Sequence, residues 1–117
     1  MAELTTEAPR ASDFVKFEGD AGYAREDVTL TATVAIGILV DTITGAKATT
    51  TPTGLVGVLL VAGVDGDKRP VAVRNCIVNT DTLTEANGGT LTANAVDAMK
   101  DQGVKFVADN PHAYDFT

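Results

Sequence analysis

Residues 54–79 read GLVGVLLVAGVDGDKRPVAVRNCIVN, and this run constrains the fold more than any other. Its first part, residues 55–62, is almost wholly apolar but far shorter than the about 20 residues needed to cross a bilayer. It therefore reads as a buried strand. The second part, residues 71–78, alternates Val71, Val73 and Ile77 with Arg74 and Cys76, with Asn75 interrupting the apolar face. Between them Val64-Asp65-Gly66-Asp67 supplies the positive-φ tolerance of a tight turn, and Pro70 suits the first residue of a strand. The expectation is a hairpin core that carries no catalytic chemistry.

What surrounds this hairpin is bounded by composition. Apolar residues make up 44% of the chain but aromatics only 5%, with no Trp, so the core must be built from Val, Leu, Ile and Ala. Such side chains suit closely packed strands, and 117 residues fit one domain. A net charge of -7 argues against nucleic acid or anionic lipid as a partner, because binding phosphates needs a basic footprint. Cys76 is the single cysteine, so no internal disulfide is expected. Met1 is followed by polar and acidic residues rather than the basic and then apolar pattern of a secretory signal. Synthesis in a cytoplasm, with exit by lysis, is the expectation.

Taken in order, residues 1–12 form a polar, acidic arm with Leu4 as its one sizeable apolar anchor. Alone such an arm should be disordered, and a partner surface is the expected cause of any ordering, the alternative being packing on its own domain. Residues 13–117 are read as a single β-rich domain. Phe14, Val15 and Phe17 fall in a short strand at 13–18 that can pair with a sheet edge of another chain. Residues 28–34 alternate apolar side chains with threonines, which predicts a strand with one face on the core. Another short strand is expected at 36–40, followed by a long surface loop at 41–53. Residues 80–90 read as a polar connection broken at Asn87-Gly88-Gly89. Leu91, Ala95, Val96 and Met99 recur at helical spacing, which predicts one amphipathic helix over 91–102 with Thr90 as N-cap and Gly103 as its stop. A strand at 104–107 and an irregular tail at 108–117 complete the chain.

The residues available do not assemble an active site. His112 is the one histidine and lies in the polar tail beside Pro111, so a nucleophilic triad would rest on an irregular segment. One His and one Cys give no ligand set for zinc, and Cys76 in a strand reads as a small buried hydrophobe. Asp65-Gly66-Asp67 lacks the spacing of a calcium loop, and Gly54-Leu55-Val56-Gly57 lacks the Lys-Ser/Thr ending of a phosphate loop. Glu26 and Asp27 are strand neighbours that point to opposite faces, which leaves them no shared substrate. Arg25 beside them is expected to be available for an interchain ion pair. No catalytic residue, metal or cofactor is expected.

The opening YAREDVTL at 23–30, the GLVGVLLVAGVD strand, the VAVRNCIVN strand and the helix-Gly-strand ending, in that order, resemble the lambda-type head decoration proteins of tailed phages. The resemblance covers residues 14–107, with a longer polar tail after Val107 than the family pattern. It implies a small, mainly β fold of the β-clip or β-tulip type with one short helix and an extended N-terminal arm. It further implies a trimer seated at threefold and quasi-threefold positions on the outside of the expanded capsid, cementing the shell against internal DNA pressure. The implied partner is the major capsid protein, and the residues implied to engage it are Leu4, Phe14, Val15 and Phe17. The competing readings are a non-catalytic β-clip module for a small molecule or glycan, which two tyrosines and no tryptophan serve poorly, and an enzyme, for which the residues offer no site.

Overall fold

The structure is a computed structural model, and it describes residues 10–107. The hairpin expected at its centre is present. Strand β5 (Val56–Leu59) pairs antiparallel with β6 (Lys68–Ala72), in the register Val58 opposite Ala72 and Leu59 opposite Val71. Four residues of β5 are buried, and alternation sends them to two separate cores. Val56, Val58 and Leu60 join one apolar cluster, while Leu55 and Leu59 join another. Gly57 lies on the second face, where a Cβ would come within 2.4 Å of Val71 and 2.6 Å of Val73. The missing side chain is what lets both valines pack across the strand.

Around the hairpin the chain builds a five-stranded sheet in the order β2-β6-β5-β3-β4, with β2 (Arg25–Thr29), β3 (Leu39–Asp41) and β4 (Ala46–Lys47), all antiparallel. A second sheet of three strands has the order β1-β7-β8, with β1 (Val15–Glu18), β7 (Cys76–Asn79) and β8 (Val104–Val107). β1 runs antiparallel to β7, and β8 runs parallel to it. The mainly β class and the closing strand at 104–107 are as expected. Pro70 differs from its expected place, lying inside β6 opposite Asp27 rather than at the strand's start.

The run 71–78 is not one strand but two, one in each sheet. β6 ends at Ala72, after which the amides of Val73 and Arg74 both donate to the carbonyl of Ala24. Asn75 then takes a positive φ of 54°, its amide donating to Gly103 and its carbonyl accepting from Gly19. The polar residue that interrupts the apolar face is therefore the corner between sheets. Likewise residues 28–34 form only the end of β2; Leu30 leaves the ladder, and Val34 meets Gly63 in an isolated bridge.

A parallel pair needs a crossover of a dozen residues or more, and residues 80–103 provide it. The stretch read as a polar connection is helix α3 (Thr80–Ala86), whose N-cap Asn79 accepts from the Asp81 amide through its side chain. Only Leu83 of α3 is buried, which leaves little apolar period in its sequence. The expected amphipathic helix follows as α4 (Ala93–Asp101), burying Ala95 and Met99; its N-cap is Thr92 rather than Thr90, and Gly103 ends it at φ 98°. Gln102 fastens this end to the hairpin, its side chain accepting from the Val56 amide and donating to the carbonyls of Val56 and Val73. With the single turns α1 (Ala11–Phe14) and α2 (Ala21–Ala24), the described residues hold four helical segments where one was expected. Among the described residues no helix is long and apolar enough to cross a membrane.

The loop after β3 is organised by a buried carboxylate. Asp41 accepts from the amides of Ile43, Thr44 and Thr53 and from the Thr53 hydroxyl. Burial pushes this carboxyl up, but the hydrogen bonds together outweigh it and hold the group below its ordinary value of 3.8.

Candidate functional site

Of the residues singled out for a partner, Val15 and Phe17 lie in β1, at the edge of the smaller sheet. α1 is a single turn held at both ends: the Arg10 amide donates to the Asp13 carboxylate at 2.9 Å, and the Thr82 hydroxyl of α3 donates to the Asp13 carbonyl at 2.6 Å. The turn delivers Phe14 into the core, where its ring lies over Gly37; any Cβ there would sit 2.5 Å from two ring carbons. Phe14 is thus in a helical turn rather than the expected strand, and it is buried. Val15 is half-buried opposite Val78. Phe17 points outward, 57% exposed, opposite Ile77. Leu4 lies outside the described residues.

Among the described residues β1 has one strand neighbour, β7. The register slips between Val15 and Phe17, a bulge of the kind that twists an edge. At the end of β1, Glu18 grips Arg25 of β2 in a two-pronged pair, Nε to Oε2 at 2.8 Å and Nη2 to Oε1 at 2.9 Å. The hydrogen bond to Glu18 raises the guanidinium pKa still further. Arg25, expected to be available for another chain, is therefore engaged within its own and ties the two sheets together. Arg74 makes a similar local set, donating to the Tyr23 carbonyl and to Glu26 and lying 5.1 Å over the Tyr23 ring.

Beside this edge are two adjoining concavities. One of ≈ 260 Å³ is lined by Val15, Lys16, Phe17, Glu18 and Arg25. The other, of ≈ 710 Å³, is lined by Arg10, Phe14, Ala35, Ile36, Val61 and Ala86 among others, and the two share Ala11 and Leu60. Sequence reasoning missed the larger one. Val61 and Ala62 continue an apolar run and read as buried strand, whereas β5 stops at Leu59 and leaves Val61 47% exposed. The signal that was available is Gly63, two residues on, where a strand packed on both faces would be broken.

The chemistry-bearing residues elsewhere fall into structural roles. Asp67 of the Asp65-Gly66-Asp67 turn accepts from the Val64 amide and from Arg69, and Gly66 sits at φ 94°. Cys76 is buried, and burial together with the nearby Glu18 charge pushes its thiol up to about 11, far from thiolate reactivity at neutral pH. Among the described residues no three His, Cys, Asp or Glu side chains come together as a metal site, and His112 lies outside them.

No curated protein and no solved structure matches the chain. The model of one family, described as bacteriophage lambda head decoration protein D, matches residues 4–104 and so takes in β1 to β7 and both longer helices, ending at the first residue of β8. The chain belongs to the bacteriophage lambda head decoration protein D family.

Proposed function

We propose that this chain is a capsid cement: a structural protein that binds the outside of the expanded phage shell as a trimer, at threefold and quasi-threefold sites, and holds neighbouring capsid subunits together against DNA pressure. The observation that carries this reading is the bulged strand β1, which lies at the edge of its sheet among the described residues, with Phe17 exposed on it and an acidic arm leading into it. An edge strand offers unpaired amides and carbonyls to a strand of another chain, and an aromatic beside it adds apolar contact. In this reading Leu4, Val15 and Phe17 meet the major capsid protein, and Phe14 acts from behind by fixing the turn that aims β1. Residues 1–12 serve as the arm and 13–117 as the body. The partners are the shell and two further copies, with no nucleic acid, membrane or small substrate. The site of action is the outer capsid surface, after synthesis in the host cytoplasm.

Expanded, undecorated shells from the same source test this by co-sedimentation. Saturable binding at three copies per threefold site, with shells that survive heating better, is the expected result; absence of binding to expanded shells would sink it.

A further inference from the structure

Asn87 latches the crossover between β7 and β8 to the larger sheet. It caps the C-terminus of α3, and its side chain reaches across to the segment that opens β3. There Nδ2 donates to the carbonyls of Gly37 at 3.0 Å and Leu83 at 2.7 Å, while Oδ1 accepts from the Leu39 amide at 3.0 Å. The residue is only 7% exposed. A side-chain amide offers two donor hydrogens and an acceptor oxygen, and this site uses both ends.

Asn87 is also the one asparagine of the chain that is followed by glycine. Such a pair can modify itself, because glycine has no side chain to keep its amide nitrogen away from the asparagine carbonyl carbon. The Gly88 nitrogen bonds to Cγ and gives up its proton as the side-chain amide departs as ammonia, leaving a succinimide ring. Water then opens the ring, at one carbonyl to aspartate and at the other to isoaspartate. The net change is ammonia lost and water gained. In the folded chain both reacting groups are occupied: three hydrogen bonds hold the Asn87 amide, and the Gly88 N–H donates to the Glu85 carbonyl at 3.3 Å.

We propose that Asn87-Gly88 is a self-modification site held shut by the fold, where ring closure requires the latch to open and the acid product cannot close it again. A carboxylate has no donor, so the oxygen in place of Nδ2 would face the Gly37 and Leu83 carbonyls and bring a buried charge with it. Isoaspartate adds a carbon to the backbone at the same point. A chain that stays open here long enough to react is thereby barred from its native state.

The full-length protein tests this at mildly alkaline pH, one sample folded and another held unfolded in guanidinium, with deamidation read at each asparagine by peptide mass spectrometry. Unfolded, Asn87 should react faster than Asn94, which is exposed in the fold and followed by alanine. Folded, Asn87 should react at least about tenfold more slowly than unfolded, since the latch must open first. Equal rates in the two samples overturn the proposal, as does an unfolded Asn87 no faster than Asn94. The one-way character is read by returning partly deamidated chains to native buffer and exposing them briefly to protease. The surviving folded fraction should be depleted severalfold in chains modified at position 87 but not in those modified at 94, and equal depletion or none overturns the lock. Asn87→Asp made directly should lower the urea midpoint or prevent folding; an unchanged midpoint overturns the lock as well.

Discussion

β5 and β1 are both short strands of four residues, VGVL and VKFE, yet they are held in opposite ways. β5 has a strand on each side and a core on each face, so each of its residues is chosen by the volume left to it, down to the absent Cβ of Gly57. Among the described residues β1 has one neighbouring strand, a bulge, and an exposed Lys16 and Phe17. A strand enclosed on all sides has no surface to offer a partner. A strand at an edge keeps its place through a few anchors, here Phe14 behind it and Glu18 at its end.

The sharpest way to test this division is to cut into the enclosed strand. Leu59→Ala removes a fully buried side chain from the second cluster and should cost about 2–5 kcal/mol in urea unfolding. A value near zero would mean that β5 is not packed as described. An intermediate effect is expected at the loop that closes beside it. Asp41→Asn puts an amide where four donors converge and should cost about 1–3 kcal/mol. Because the folded carboxyl is held below 3.8, its contribution is complete at neutral pH and is lost as pH falls through the lowered folded value. The substitution should therefore flatten the acid limb of the stability curve, and parallel acid limbs would count against the Asp41 hydrogen bonds. The smallest effect on stability is expected at the edge. Phe17→Ala should change unfolding by no more than about 0.5 kcal/mol while weakening shell binding, and a large loss of stability would show that β1 is part of the core after all.

The hairpin was legible because two strands and a glycine-containing turn follow one another within residues 54–79, each with its own pattern. The corner at Asn75 was visible only as a blemish in an alternating run. A two-residue period carries no mark of which sheet a strand belongs to, and the change of sheet is made by one positive φ and by bonds to Gly19 and Gly103, distant in sequence. α3 was hidden for a different reason: Leu83 is its one buried side chain, and its cap, Asn79, closes an apolar run. At the site, an exposed aromatic beside the arm could be read directly. The burial of Phe14 depends on Gly37, and the larger concavity depends on apolar residues from loops at 35–36 and 60–62, so neither could be found from spacing along one segment.

The corner at Asn75 also bears on how force would pass through the molecule. β6 and β7 are one stretch of chain separated by residues 73–75, and β7 is the strand to which β1 is bonded. Tension applied at β1 crosses a single ladder of hydrogen bonds to reach β7, and from there it travels into the five-stranded sheet along covalent backbone. The Glu18–Arg25 pair offers a second route in parallel, from the end of β1 to β2. Residues 19–24 also join β1 to β2 along the backbone, so a pull on the edge is shared between both sheets, and the β1–β7 ladder is the part of that path held by hydrogen bonds alone.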